Sequence, residues 1–475
     1  MKNPLDKSFG LLSTLAAALI LAGCASPPPI DASQLPTPPA SFRESEGHWI
    51  AAAPADAQAR GEWWKAFDDP VLDDLMARAL QRNDRIQVAA ARLTQARALV
   101  QATQAQGLPQ IGASAGGLRG TQPQTGTHPL TSLTAGASLS YEADLFGKIA
   151  RATDAATLDA QTREALLRST QLLVQAEVAQ TYFELRALDI EHGIVSDTAT
   201  AYRDSLRLTE ARLRAGDVAE LDVARVRTEA AATDSDALAI QSQRAQLEHA
   251  LAVLVGDVAS SFSLAPADWN ATLPLIPAGV PGTVLARRPD VAASQRQLLA
   301  AQARVGVAQA AWFPDVQLTA AGGYASSDLS NLFKWSARAW GIGALLSVPL
   351  FDGGRRNAGI DAAKADMDGA LALYREQVLV AFRDVEDELS DLRLLGERAQ
   401  AETTAVTSAS RATALSGSRY RNGLISQLEL LDAQRSELRN RREAARVRAA
   451  QYQATVGLIR ALGGSWDVRS DNSQG

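Results

Sequence analysis

From residue 130 to 146 apolar and polar positions alternate with a strict period of two. Leu133, Ala135, Ala137, Leu139, Tyr141, Ala143 and Leu145 share one face, and Thr134, Ser138, Ser140, Glu142 and Asp144 the other. Such a segment is a strand with one greasy and one wet side. Weaker alternation runs through Ile111, Ala113 and Ala115, through Val316, Leu318, Ala320 and Tyr324, and from Trp340 through Ile342, Ala344, Leu346 and Val348 to Leu350. These runs predict strands at about 111–119, 133–146, 316–325 and 339–351, paired as two hairpins with polar loops near 120–132 and 327–337. After each hairpin the period becomes helical, as in Tyr374, Val378, Phe382, Val385, Leu389 and Leu392. Little interrupts residues 147–212 and 353–421, so each can form a helix of roughly 100 Å at 1.5 Å per residue. Turns at Gly216 and Gly423 then return the chain along further long helices toward Gly256 and Gly463. Shorter helices precede the hairpins: Asp69 suits an N-cap and Pro70 the first helical position, and Pro289 breaks the opening helix of the second half.

The whole pattern occurs twice. At an offset of 205 residues Leu80 falls on Leu285, Ile86 on Val291, Pro109 on Pro314 and "DLFG" (144–147) on "PLFD" (349–352). At 207, "RAGDVAEL" (214–221) falls on "RNGLISQL" (421–428). The expected organisation is a signal peptide (1–23), an N-terminal tether (24–62), a first repeat (63–270), a second (271–465) and a flexible tail (466–475).

The N-terminus adds a targeting device. A charged start with Lys2 and Lys7, an apolar run from Phe9 to Ala22 and the small residues before Cys24 have the layout of an export signal. That run is too short to span a bilayer, and no later segment approaches the roughly 20 apolar residues a spanning helix needs. Cys24 is the only cysteine, so no internal disulfide forms, and a covalently modified Cys24 suits an exported chain better than a bare thiol. The Pro- and Ser-rich stretch from Ser26 to Pro39 reads as a semi-extended tether behind that anchor.

The apolar strand faces mix Ala, Leu, Tyr and Trp with Gly and Ser, as in a membrane β-barrel. Strand edges in lipid must be paired, and four strands are too few to close around a lumen, so several protomers must share one barrel. The formal net charge of −6 gives no reason to expect a nucleic-acid partner. The four histidines are far apart in sequence, no metalloprotease or phosphate-loop motif occurs, and an enzyme is not expected.

"WWKAFDDPVLDDLMARAL" (from Trp63), "YEADLFGK" (Tyr141), "VLARRPDVAASQRQL" (Val284), "AQAAWFPDVQLTA" (Ala308), "SVPLFDGGRR" (Ser347) and "RYRNGLISQLELLDAQR" (Arg419) resemble the outer-membrane factors of tripartite efflux systems, the TolC-like proteins, in their lipoprotein branch. "LAGC" (21–24) resembles the lipobox, which implies N-acyl and S-diacylglycerol groups on Cys24. The resemblance implies a mainly α chain with a β-barrel portion. Three copies would form a trimeric outer-membrane β-barrel, four strands per protomer, continued by a long periplasmic α-helical barrel. It further implies a homotrimer that contacts outer-membrane lipid and docks on a periplasmic adaptor linked to an inner-membrane pump, passing small molecules through a passive gated duct.

By the same resemblance Asp432 and Leu428 narrow the tunnel, and Asp222 and Tyr420 tie helical hairpins together when it is closed. Leu428, Glu429, Asp432 and Arg435 follow at helical spacings of one, three and three, so several can project into one constriction. Ile425 stands where a latch arginine can occur and Glu429 where aspartate can. Gly216, Asp217 and Val218, with Gly423, Leu424 and Ile425, resemble the adaptor-docking tip. Trp63, Trp64 and Phe67 are expected to pack the N-terminal segment on the helices. Two other readings remain: a duct for protein (type I) secretion, and a non-porous lipid-anchored coiled-coil scaffold.

Overall fold

The computed structural model describes residues 29–30, 33, 35–39, 41–44, 62–121, 129–267, 269, 273–274, 276, 284–285 and 287–464. The expected signal peptide, Cys24, much of the tether, the tip of the first hairpin loop and the expected tail lie outside them. The helices are α1 (Pro70–Arg82), α2 (Asp84–Gln106), α3 (Lys148–Arg214), α4 (Glu220–Leu254), α5 (Pro289–Ala310), α6 (Arg355–Arg421) and α7 (Gln427–Ala461). The strands are β1 (Gln110–Gly120), β2 (Leu130–Ala143), β3 (Asp315–Ser326) and β4 (Arg338–Ser347). No described helix is long and apolar enough to cross a membrane.

The chain divides into two compact units, each drawing on both halves of the sequence: one holds residues 91–165 and 293–376, the other 37–90, 166–292 and 377–464. The first contains the sheet, ordered β1-β2-β3-β4 and antiparallel throughout. Register decides its character. Opposed residues share a face, and Ile111 faces Leu139, which faces Ala320, which faces Ile342. Tyr141 meets Leu318, Val316 meets Leu346 and Gly322 meets Trp340 on that same side. The four separate alternations thus merge into one apolar face, with Ser114, Thr134, Ser138, Thr319 and glycines on the other. Ile111, Trp340 and Ile342 are 77%, 79% and 81% exposed on that face. The outermost strands β1 and β4 are exposed along their whole length.

β2 and β4 end before the predicted 146 and 351 because their last residues serve the helices instead. Asp144 accepts a hydrogen bond from the Ala150 N–H (2.7 Å), and the Leu145 N–H turns back to the Ala143 carbonyl (2.8 Å). Past Ser347, Pro349 has no N–H to give to a ladder, and Asp352 accepts from the N–H groups of Gly354 and Arg356 at the start of α6. Stacked Phe146 and Phe313 (4.9 Å) and Lys148, 3.2 Å from both Glu142 and Asp315, fasten this end of the sheet.

The second unit carries the main core. Phe67, Phe183, Trp269 and Tyr452 form a continuous aromatic contact set, with Trp63 and Trp64 against it. Asp69 caps α1 as expected, accepting from the Val71 and Leu72 N–H groups, and Tyr182 Oη donates to its other oxygen at 2.7 Å. A break between α1 and α2 is not signalled by the apolar spacing. Asn83 makes it: Oδ1 accepts from the Arg85 and Ile86 N–H groups, while Nδ2 donates to the Leu254 carbonyl. Pro289 makes the equivalent break in the second repeat, where Arg288 is held by Asp290 and Asp384. The repeat persists to atomic detail, since the Cα of Gly256 lies against the Arg82 carbonyl and that of Gly463 against the Arg287 carbonyl.

Candidate functional site

All described candidate residues fall in the second unit, at the two turns that end α3 and α6. Both turns close by the same hydrogen bonds. The Asp217 N–H donates to the Arg212 carbonyl (2.9 Å) and the Gly216 N–H to Leu213 (3.0 Å). Leu424 donates to Arg419 (2.9 Å) and Gly423 to Tyr420 (3.0 Å). Gly216 and Gly423 have φ of +81° and +71°, and no heavy atom lies within 4 Å of where a side chain would begin. Backbone torsion therefore requires glycine here, not space. Gly216, Asp217, Gly423 and Leu424 are exposed, Val218 and Ile425 half-buried. The Arg212 guanidinium lies over the Tyr420 ring at 5.2 Å and joins α3 to α6 beside the turns.

The helices that leave the turns begin with acidic residues. Asp222 accepts from the Ala219 N–H at 3.4 Å, and its carboxylate is 3.9 Å from Arg225. Glu429 is the return partner of an N-terminal box: Ser426 Oγ accepts the Glu429 N–H (3.3 Å), and Glu429 Oε1 accepts the Ser426 N–H (3.3 Å). Tyr420 is buried with no hydrogen-bond partner for its Oη. Asp222 and Tyr420 are thus not joined within the protomer. Leu430 and Leu431 turn inward, Leu431 packing on Tyr202, Val226 and Ala230.

Leu428 and Asp432, four residues apart, share an exposed face of α7. Arg435 continues that stripe but is committed elsewhere, pairing closely with Glu229 of α4 and approaching Asp432 at 3.4 Å. Its pKa is raised, first by the Glu229 hydrogen bond. Tyr202 is pushed up to about 12, chiefly by burial. Of the four residues whose spacing lets several project into one constriction, Leu428 and Asp432 share the exposed face, Glu429 caps α7, and Arg435 clasps α4 while also reaching Asp432.

Sequence reasoning missed Glu388. It sits on α6 three residues after Val385, within the apolar stripe, and its carboxylate lies directly on Gly457 of α7. Arg460 of α7 and Asp384, Asp387 and Asp391 of its own helix act on it, and Gln180, Gln453 and Ala454 line the same groove. Burial first, and then those carboxylates against the Arg460 attraction, raise its pKa to about 7. A raised carboxylate pKa means that the folded state holds the proton more tightly than the unfolded chain. The stabilising effect is complete below about pH 4.5 and is lost as pH rises toward 7. Glu388→Gln is expected to match wild type near pH 4 and to exceed it at pH 8 by about 1 kcal/mol, allowing for solvent screening. Unfolding midpoints across pH check this, and parallel curves for the two proteins would refute it. Among the described residues no group of three or more His, Cys, Asp or Glu is placed to hold a metal ion.

The chain matches the profile of the outer membrane efflux proteins over residues 75–257 and 280–464. It belongs to that family. The two matched segments each fall within one of the two sequence repeats. The chain is 32% identical over 471 residues to the solvent efflux pump outer membrane protein SrpC of Pseudomonas putida, covering 95% of this chain and 97% of that one. It is 32% identical over 467 residues to the pyoverdine export outer membrane protein OpmQ of Pseudomonas aeruginosa, covering 96% and 97%. Among solved structures, the outer-membrane channel OprN aligns with a TM-score of 0.85 at 32% identity, over 93% of this chain and all of that one. CusC aligns with a TM-score of 0.81 at 26% identity, over the same shares. The family is one of outer-membrane channel proteins, not of enzymes.

Proposed function

We propose that this protein is the outer-membrane channel of an efflux pump, a passive duct for small molecules expelled by an inner-membrane pump through a periplasmic adaptor. The observation that carries the reading is the four-stranded sheet with one continuous exposed apolar face and two unpaired edges. In lipid such edges close only on other strands, and β1 of one copy against β4 of the next gives a ring. Three copies supply twelve strands, enough for a lumen lined by the small polar face. The hairpin loops then face outward, since the helices at the other end of each strand are too polar for a bilayer. Cys24 carries the acyl anchor in this reading, the Gly216 and Gly423 turns meet the adaptor, and Leu428 and Asp432 narrow the duct. None of the roles requires catalysis.

Light scattering of the detergent-purified protein is expected to return three protomers. A cysteine placed at Ser330, in the β3–β4 loop, is expected to react with an impermeant maleimide on intact cells. A monomer whose loop never reacts would instead support a lipid-anchored scaffold confined to the periplasm.

A further inference from the structure

The loop between β3 and β4 ends in an arrangement that the duct does not use. The Arg338 guanidinium carbon lies over the Trp335 ring, 3.0 Å from its centroid, and Nε donates to the Trp335 carbonyl at 2.9 Å. The Arg338 side-chain contacts within the described residues are this ring and this carbonyl, which leaves both terminal nitrogens of the fork without an ion pair among them. Lys334, next to Trp335, is likewise exposed and has no carboxylate partner among them. The loop's one carboxylate, Asp328, accepts instead from Ser327 Oγ. Phe333 stands edge-on to Tyr324 at 5.6 Å, and Tyr324 is the register partner of Arg338 on the apolar face. Phe333, Trp335 and Trp340 are largely exposed. An aromatic belt with a fixed cation therefore tops the lipid-facing side at the loop end of the sheet.

A second cation matches it. Arg119 of β1 is opposite Thr131 on that same apolar face and at the same end. Arg119 and Arg338 occupy the two edge strands, far apart in the sheet order of one protomer. Closing β1 against β4 of the next copy sets them on neighbouring strands.

We infer that each seam between protomers, at its outer rim, binds a phosphorylated lipid headgroup of the outer leaflet through Arg119 of one protomer and Arg338 of the next. The inference rests on the closed-ring reading above. Lipid is the occupant because the cations are continuous with the apolar face, and whatever covers that face in a bilayer presents its headgroup at this height. Phosphate suits the fork: the ring face removes water from one side of the guanidinium, and the remaining N–H pair matches a bidentate oxyanion. Two cations on adjacent strands favour a headgroup with two phosphates.

The test is native mass spectrometry of the intact detergent-solubilised assembly titrated with diphosphoryl lipid A, monophosphoryl lipid A or phosphatidylcholine. Wild type is expected to retain the diphosphoryl lipid most strongly. The double variant Arg119→Gln with Arg338→Gln is expected to bind it at least about tenfold more weakly, with phosphatidylcholine binding unchanged. Equal retention of the diphosphoryl lipid by wild type and variant, or no preference of wild type over phosphatidylcholine, overturns the proposal. The same spectra give the number of protomers independently of lipid, so failure of the ring is seen separately from failure of the seam to bind.

Discussion

Ile342→Arg is expected to remove the protein from the outer membrane, while Gly341→Arg, one residue away on β4, leaves it assembled. The two positions differ only in face. Ile342 stands opposite Ala320 on the apolar side and is almost fully exposed, whereas Gly341 stands opposite Ala321 on the polar side with open space where a side chain would begin. An arginine near the middle of the lipid face of a barrel costs about 2–4 kcal/mol. Three copies in one ring raise that to roughly 6–12 kcal/mol, comparable to the whole stability of an ordinary domain. An arginine at Gly341 meets water and costs far less. Immunoblots of outer-membrane fractions, with unheated samples to show the assembled ring, read the outcome. Equal assembly of both variants would mean that lipid does not cover this face.

That contrast also marks how much of the fold could be read in the residues. A period of two is local, so each strand announced its own greasy side, and the repeat showed which segments were equivalent. Register joins distant segments. Nothing near Leu139 indicates that Ala320 will lie against it, so the single continuous face became visible only with the strands paired. The C-terminal ends of β2 and β4 were overestimated because alternation continued into Leu145 and Leu350, where Asp144 and Asp352 had already turned the backbone toward helix starts. The break at Asn83 escaped because asparagine reads equally well as a polar surface residue. Only its bonds to Ile86 and to the Leu254 carbonyl reveal it as a joint.

At the candidate site the turns were legible and the partners were not. Glycine after a long uninterrupted helical run signals a turn from sequence alone. The helical spacing of Glu429 and Arg435 suggested a shared direction with Asp432. The competing partners sit elsewhere: Ser426 lies three residues back and claims Glu429, while Glu229 lies 206 residues away on α4 and claims Arg435. Charge that finds a close partner is withdrawn from a lumen, and this sorting leaves Asp432, largely exposed and met only by Arg435 one turn on at 3.4 Å, as the acidic group of the stripe most open to solvent.

Asp432→Ala is therefore expected to raise single-channel conductance in planar bilayers several-fold and to weaken cation selectivity, with Glu429→Ala changing conductance little. Two effects of the substitution oppose each other. Three carboxylates around an axis repel, so neutralising them favours a tighter tip; at about 7 Å in water that repulsion is only ~0.6 kcal/mol per pair, close to thermal energy. With Asp432 at the constriction, as proposed above, shortening the side chain widens that ring and removes the field that holds counter-cations there, and both changes ease passage. The second effect is expected to dominate. Arg435→Ala supplies the complementary measurement. It breaks the α7–α4 clasp at Glu229 and leaves the acidic ring in place, so it is expected to raise conductance through a looser tip while cation selectivity persists. Wild-type conductance in Asp432→Ala would take Asp432 out of the constriction. A loss of selectivity in Arg435→Ala would mean instead that the clasp, not the carboxylate ring, sets the charge of the opening.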